Sequence, residues 1–128
     1  MKLLLDTHVA IWWMCEYEKL SSEAKASLSD RANTLFISIV SAWEVAIKSS
    51  IGKLPEFEGG VKAFLAEMED NPIVFLPVER RHIEIVETLP FHHRDPFDRL
   101  LIATAIAEGM TILTADENIK KSDVLTAW

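Results

Sequence analysis

The N-terminal segment MKLLLDTHVAIWW places an acid directly between two apolar runs. Residues 3–5 are all leucine, and a short apolar run that ends at a polar residue is typical of a buried strand. The apolar run that follows predicts a helix beginning at Thr7 or His8. Ligands of open α/β sheets bind beyond the carboxyl ends of the strands. Asp6, the last residue of the predicted strand, is therefore expected at the mouth of a site.

Short apolar runs and helix-like patterns alternate along the rest of the chain. This alternation predicts a mostly parallel sheet with helices on both faces, which is an α/β fold. Further strands are predicted at 35–37, 73–76 and 111–113, with a short edge strand at 124–125. Further helices are predicted at 21–31, from Ser41 to near Gly52, at 61–68, at 79–89, and from Asp95-Pro96 to Gly109.

The size and composition of the chain predict one domain, residues 1–128. Apolar residues make up 49% of the 128, which is enough to bury a sizeable core. No apolar run reaches the length of a membrane-spanning helix, and no basic region precedes a long apolar stretch as in a signal peptide. The single cysteine, Cys15, cannot form an internal disulfide. That fits a reducing compartment and predicts a cytoplasmic protein.

Acidic residues outnumber basic ones, 20 against 13, and give a net charge of −7. This balance argues against a domain that binds nucleic acid by bulk electrostatics. It does not exclude an enzyme that brings divalent cations to an anionic substrate.

Five acids are predicted to lie at one rim of the sheet. Asp6 ends the first strand, Glu44 lies in the first turn of the helix that Ser41 opens, and Asp116 follows the fourth strand. Asp95 and Asp98 lie in the first turn of the last long helix and are three residues apart, hence neighbours on one face. Because the carboxyl ends of parallel strands share one edge, these acids are expected to converge.

Crowded carboxylates repel one another, and one of them takes up a proton unless a cation is bound. A set of oxygen ligands suits Mg²⁺ or Mn²⁺ rather than Zn²⁺. A structural role stays open for most of the acids: Glu44 and Asp98 would complete capping boxes, Asp95 would cap its helix, and Asp116 would be a turn residue.

Three segments together resemble the PIN domain, and more closely the ribonuclease toxins of bacterial VapBC toxin–antitoxin systems. They are LLLDTHVAIWW, SIVSAWEVAIKSSIGKL and HHRDPFDRLLIATAIAEGMTILTADENI, and the resemblance covers nearly the whole chain. It implies a single-domain α/β/α sandwich. It also implies a Mg²⁺- or Mn²⁺-dependent endoribonuclease that hydrolyses RNA phosphodiester bonds with a metal-activated water.

The same resemblance implies the catalytic and metal-binding residues. The core acids of the family match Asp6, Glu44 and Asp98, and its fourth, more variable acid matches Asp116. Asp95 belongs to the DPFD form of the motif and is an additional candidate. The family often has Thr-Arg-Asn or Thr-Arg-Asp where this chain has TAD at 114–116, so any role of that arginine is absent.

Other polar residues near these acids are candidates for substrate binding. Thr7, Lys48 and Arg99 could contact phosphate, although a helix cap for Thr7 and surface ion pairs for the two cations are the structural alternatives. His92 and His93 are interpreted as loop residues that could line the path of the RNA.

Partners are also implied by the resemblance: an RNA substrate, a cognate antitoxin and a second copy of the chain. Residues 9–15 are apolar on nearly every side, and residues 61–68 add an apolar stripe at helical spacing. A groove between these two helices could accept an amphipathic helix of the antitoxin. The alternative is that both helices simply pack on the sheet.

Two alternatives from other functional classes stay open. A phospho-receiver module has a similar layout, but it carries an acidic pair after its first strand and a lysine near the end of its last strand. Here Asp6 has no acidic neighbour and the fourth strand is followed by TAD. The other alternative is a non-catalytic PIN scaffold that binds protein, against which the intact set of acids argues.

Overall fold

The computed structural model describes residues 1–91 and 94–128. The strands are β1 (Lys2–Leu5), β2 (Thr34–Ser38), β3 (Ile73–Leu76), β4 (Thr111–Leu113) and β5 (Thr126–Ala127). The helices are α1 (Thr7–Cys15), α2 (Ser22–Ser29), α3 (Ile39–Ser50), α4 (Gly60–Glu69), α5 (Arg80–Thr88), α6 (Pro96–Glu108) and α7 (Glu117–Lys120), and Tyr17–Lys19 forms a 3₁₀ turn.

The five strands form one sheet in the order β3-β2-β1-β4-β5, and every neighbouring pair is parallel. β1 lies at the centre, where Leu3 pairs with Leu35 of β2 and with Thr111 of β4. The carboxyl ends of all the strands therefore meet at one edge. The predicted α/β fold with a parallel sheet is confirmed.

Apolar side chains of β1 point alternately to the two faces of the sheet. Leu3 and Leu5 pack in a core that includes residues of α1 to α4, whereas Leu4 packs with Leu101 and Ile102 of α6 on the other face. Helices thus cover both faces, as expected for an α/β/α sandwich. Among the described residues, no helix has both the length and the apolar character needed to cross a bilayer.

The prediction that Ser41 opens α3 is wrong. The helix begins at Ile39, and the Ser38 hydroxyl caps it by accepting a hydrogen bond from the Val40 N–H at 3.1 Å. β2 runs directly into α3, so the cap is the last residue of the strand rather than a residue of a loop. Glu44 consequently lies in the second turn of α3 and not in the first.

The predicted edge strand is displaced by two residues. β5 comprises Thr126–Ala127, whereas Val124 is buried and packs with the α6 core. The main chain explains the shift, because the Ile112 N–H donates to the Leu125 carbonyl and the Thr114 N–H donates to the Ala127 carbonyl.

Candidate active site

Asp6 stands at the end of β1 with its carboxylate buried at the carboxyl edge of the sheet. Its backbone occupies the N-cap position of α1, but its side chain makes no capping hydrogen bond. Instead, the Thr114 hydroxyl donates to Asp6 Oδ2 at 2.7 Å, and the Asp116 N–H donates to that same hydroxyl at 3.0 Å. Thr114 is fully buried and follows β4, so it holds the ends of the two central strands together.

Glu44 is a second buried carboxylate, and both of its oxygens have partners. The Thr7 hydroxyl donates to Oε1 at 2.8 Å, and the Lys48 ammonium donates to Oε2 at 2.5 Å. Ser41 Oγ lies 2.8 Å from the same Thr7 hydroxyl. Ser41 does not cap its helix, and this contact gives its buried hydroxyl a partner. The first turn of α1 and the second turn of α3 are thereby joined.

Asp95 and Asp98 are brought to the same region by the start of α6. Asp95 is the N-cap, as predicted, and its Oδ1 accepts hydrogen bonds from the N–H groups of Phe97 and Asp98 at 2.8 and 3.2 Å. Pro96 occupies the first turn, where a missing N–H costs nothing. Asp98 is half-buried one turn beyond the cap.

The raised pKa of Asp98 indicates that the other acids lie close to it. Burial, the largest cause, and the negative charges of Asp6, Asp95, Glu44 and Asp116 together raise the pKa of Asp98 to about 8. The pKa of Asp6 is also raised, chiefly by burial, while the Thr114 hydrogen bond and the nearby His8 oppose the rise. Acids from β1, α3, α6 and the end of β4 therefore share one electrostatic environment, here called the acidic cluster: Asp6, Glu44, Asp95, Asp98 and Asp116.

Asp116 also has the structural role that the sequence left open. It caps α7, and its Oδ1 accepts from the N–H groups of Asn118 and Ile119 at 2.7 and 3.1 Å. Capping and membership of the cluster are compatible, because one carboxylate has two oxygens and several lone pairs.

The two basic residues named by the sequence occupy different positions. Lys48 lies at the acidic cluster; burial acts to lower its pKa, but the Glu44 hydrogen bond and the charges of Glu44, Asp95 and Asp98 raise it overall. Arg99 is buried, and its guanidinium donates to the carbonyls of Val86, Leu89 and Pro90 at 3.0, 3.2 and 3.0 Å. It closes the end of α5, and its predicted contact with substrate stays a prediction. His92 and His93 lie outside the described residues.

The polar partners of the cluster were missed by sequence reasoning. Thr114 and Ser41 each contact a residue that is far away in the sequence, and neither belongs to a charged motif. For Thr114 a signal was available, since it follows β4 at the edge where Asp6 ends β1. Trp43, next to Glu44, is exposed, and its indole packs edge-on against Phe97 with the ring centroids 5.0 Å apart.

A second group of ligand-type side chains lies between α5 and α6. Glu79, His82 and Glu108 offer ligand atoms within 4.8 Å of one another. His82 Nδ1 accepts the Glu79 N–H, so its Nε2 carries the proton and donates to Glu108 at 2.9 Å. Arg81 pairs with both glutamates. These contacts lower the pKa of Glu108, with the His82 hydrogen bond as the largest cause, and the group acts as a link between helices.

The acidic cluster has the donor chemistry of a divalent-cation site. Its donors are carboxylate oxygens from several elements, and the raised pKa of Asp98 shows that their charges are incompletely compensated. A hard cation of the Mg²⁺ or Mn²⁺ type would relieve this repulsion and favours such oxygens over thiolate or imidazole ligands. The residues present therefore fit a divalent cation.

Comparison with known families decides the class of protein. The family model of the PIN domain matches residues 3–125. The chain belongs to the PIN domain family. The predicted membership is therefore confirmed, and the acidic cluster lies at the carboxyl edge of a PIN-domain sheet.

Individual relatives agree with this membership. The PIN domain is 28% identical over 121 residues to Ribonuclease VapC22 of Mycobacterium tuberculosis (strain ATCC 25618 / H37Rv), an alignment that covers 92% of this chain and 89% of that protein. Its fold is similar to VapBC2 from Rickettsia felis bound to a promoter DNA fragment, with a TM-score of 0.73, 16% identity and coverage of 99% and 98%. It is also similar to FitAcB from Neisseria gonorrhoeae, with a TM-score of 0.63, 19% identity and coverage of 97% and 95%.

The raised pKa of Asp98 predicts how the stability of the metal-free PIN domain depends on pH. The native state keeps a proton that the unfolded chain, with an ordinary carboxyl pKa of 3.8, releases, because the native pKa is about 8. The free energy of unfolding should therefore fall as the pH rises from about 4 to about 8. Asp98→Asn should flatten this fall, measured as melting temperature against pH in EDTA.

A matched control is Asp70→Asn, which changes an exposed aspartate at the end of α4 and should keep the wild-type slope. An Asp98→Asn protein with the same slope as wild type would contradict the assigned pKa. Mn²⁺ should stabilise the protein most at high pH, since it binds the deprotonated carboxylates.

Proposed function

We propose that this PIN domain, residues 1–128, is a Mg²⁺- or Mn²⁺-dependent endoribonuclease that acts as the toxin of a toxin–antitoxin pair in the cytoplasm. The observation that supports it most is the acidic cluster itself, in which acids from four separate parts of the chain raise the pKa of Asp98 together. The 28% identity to a protein named Ribonuclease VapC22 points to the same activity.

The proposed metal ligands are the acids that converge. Asp6 and Asp98 are the leading candidates, with Glu44 and Asp116 as further ligands or as acceptors for coordinated water. When bound, a divalent cation lowers the pKa of a coordinated water to near neutrality and offsets the charge of the phosphodiester. Asp95 is an additional acid of the cluster, and its Oδ1 accepts a hydrogen bond as the cap of α6.

Neighbouring hydroxyls and one ammonium group orient these acids. Thr114 fixes Asp6 through Oδ2, and Thr7 fixes Glu44 through Oε1. Because Lys48 already donates to Glu44 Oε2, part of the charge of Glu44 is balanced before a cation binds. We therefore assign Lys48 to the support of Glu44, and its predicted contact with phosphate stays a prediction.

The alternative functions are less well supported. A phospho-receiver module is not favoured, since the chain belongs to the PIN domain family. A non-catalytic PIN scaffold would not need buried acids whose mutual repulsion must be offset by Lys48 and by hydroxyl donors.

The apolar residues that the structure leaves exposed differ from those that the sequence suggested. Phe64 and Met68 of α4 are fully buried in the core, so most of that predicted stripe is covered. An exposed apolar stripe lies instead on α3, at a spacing of four residues along one face. Its members are Ile39, Trp43, Ile47 and Ile51, which are 44%, 57%, 36% and 58% exposed.

We propose that this α3 stripe forms a homodimer interface and that α1 contributes to antitoxin binding. Contiguous exposed apolar patches mark interaction sites more often than they mark free surface. On α1, Met14 is half-buried and Cys15 is exposed, so the C-terminal end of this helix would contribute to a groove for a partner helix.

Loss of the central acids should abolish RNA cleavage. Asp6→Asn and Asp98→Asn should each lower the rate with Mg²⁺ or Mn²⁺ by roughly 100-fold or more, because each removes a proposed metal ligand. Glu44→Gln should be severe and Asp116→Asn milder. Cleavage of a mixed RNA substrate, with and without EDTA, measures this.

The isosteric control for these changes is again Asp70→Asn, which should cleave like wild type, and circular dichroism should show every variant folded. Full activity of both Asp6→Asn and Asp98→Asn would refute the assignment of the site.

A charge in the α3 stripe should dissociate the homodimer. Ile47→Glu should weaken self-association roughly tenfold or more, because a buried interface charge has no partner. Sedimentation equilibrium measures this, and Ile83→Glu on α5 is the control, since Ile83 is 52% exposed but lies outside the stripe. A monomeric wild-type protein, or equal effects of both variants, would rule the interface out.

Co-expression should reveal the antitoxin. The product of a short reading frame upstream of the gene should form a stable complex with the protein and suppress its RNase activity. Failure to associate, together with a protein that is harmless when expressed alone, would argue against the toxin role.

A further inference from the structure

An open cleft adjoins the acidic cluster on the side of α1. It has a volume of about 290 Å³ and is lined by Asp6, His8, Trp12, Ala115 and Asp116. We propose that this cleft is a nucleobase subsite, in which the RNA base next to the scissile phosphate stacks on Trp12. The proposal rests on the proposed ribonuclease function and adds Trp12 as a residue that contacts a base of the substrate.

The cleft is continuous with the proposed catalytic centre. Asp6 and Asp116 belong both to its lining and to the acidic cluster. A phosphodiester held at these acids carries its own nucleoside a few ångströms away, because base and phosphate share one sugar. A base of the bound strand must therefore lie beside the cluster, and the cleft provides space there.

The aromatic side chains of the cleft are held in place without being stacked on one another. The rings of His8 and Trp12 are 6.1 Å apart and tilted by 53°. Trp128 meets Trp12 edge-on at 5.8 Å, and the Lys19 ammonium lies 5.9 Å from the indole centroid. Neither of these two rings is parallel to the indole of Trp12, and within residues 1–91 and 94–128 no ring contact of Trp12 is a parallel stack.

The chemistry of the walls favours a base over a protein segment or a bare phosphate. Single-stranded RNA is recognised largely by stacking of unpaired bases on aromatic rings. Asp6 and Asp116 would face the cation and the scissile phosphate, whereas His8 and Trp12 offer the aromatic surface that a base requires. A groove for a partner helix would instead present a long apolar stripe.

Three variants separate stacking from packing. Trp12→Leu removes the aromatic face but keeps an apolar side chain against the core, and Trp12→Phe keeps a ring. Trp13→Leu is the matched control, because Trp13 is equally half-buried and packs against the same core but does not line the cleft. KM and kcat are measured on a single-stranded oligonucleotide, and the nucleotides flanking the cut are read from a randomised RNA pool.

Trp12→Leu should raise KM by roughly 5- to 100-fold, the range that loss of one stacked base gives. The kcat should change far less, and the preference for nucleotides next to the cut should weaken. Trp12→Phe should restore most of both properties, and Trp13→Leu should behave like wild type. If Trp12→Leu fails to fold by circular dichroism, His8→Ala and His8→Phe provide the same comparison at the neighbouring ring, one turn earlier on α1.

The possible results separate a failure of the proposed subsite from a failure of the proposed ribonuclease function. If wild type cleaves RNA but Trp12→Leu matches Trp13→Leu in KM and in nucleotide preference, the subsite is wrong and the ribonuclease function stands. If Trp12→Leu instead weakens only the binding of the antitoxin, the cleft binds protein and the proposal is overturned. If wild type neither cleaves nor binds RNA in Mn²⁺, the proposed function fails and the subsite fails with it.

Discussion

Repulsion among buried carboxylates is the constraint to which the polar architecture of this PIN domain responds. Burial disfavours the charged forms of Asp6 and Asp98, and neighbouring acids disfavour them further, so that the pKa of Asp98 rises to about 8. The structure offsets part of this cost with Thr114 on Asp6 and with Thr7 and Lys48 on Glu44. The repulsion that remains would favour the binding of a cation. The electrostatic cost of the metal-free state and the proposed function therefore have one origin.

Burial of the apolar residues of the sheet offsets the electrostatic cost of such a site. β1 is the central strand, and its three leucines are almost completely buried, with Leu3 and Leu5 on one face and Leu4 on the other. Each buried leucine contributes on the order of 2 kcal/mol relative to an exposed one. Asp6 follows this strand directly, so a central, buried strand positions one of the two carboxylates whose pKa is raised. An acid on a mobile loop would move away from its neighbours instead of remaining beside them.

Periodicity and the positions of the acids were enough to predict the parallel sheet, the N-cap role of Asp95 and the arrival of distant carboxylates at one edge. They were not enough to place the start of α3, because Ser38 and Ser41 both precede helical residues and only tertiary contacts choose between them. Ser38 caps the helix, and Ser41 is left beside Thr7, on which Glu44 depends. Likewise, the Thr114–Asp6 bond joins residues 108 positions apart, a distance over which no local pattern carries information.

A chain with a net charge of −7 cannot hold RNA mainly through its phosphates. Lys48 is already paired with Glu44, and Arg99 is engaged with carbonyls at the end of α5. In the proposed function, the attraction for RNA comes from a cation at the scissile phosphate and from contacts that carry no charge. Stacking of a base on Trp12 is such a contact: it uses the face of the base, and its strength differs modestly from one base to another. Such a protein would recognise one phosphate through a cation and the adjoining base through an aromatic ring. It could thus select single-stranded RNA although its net negative charge repels most nucleic acid.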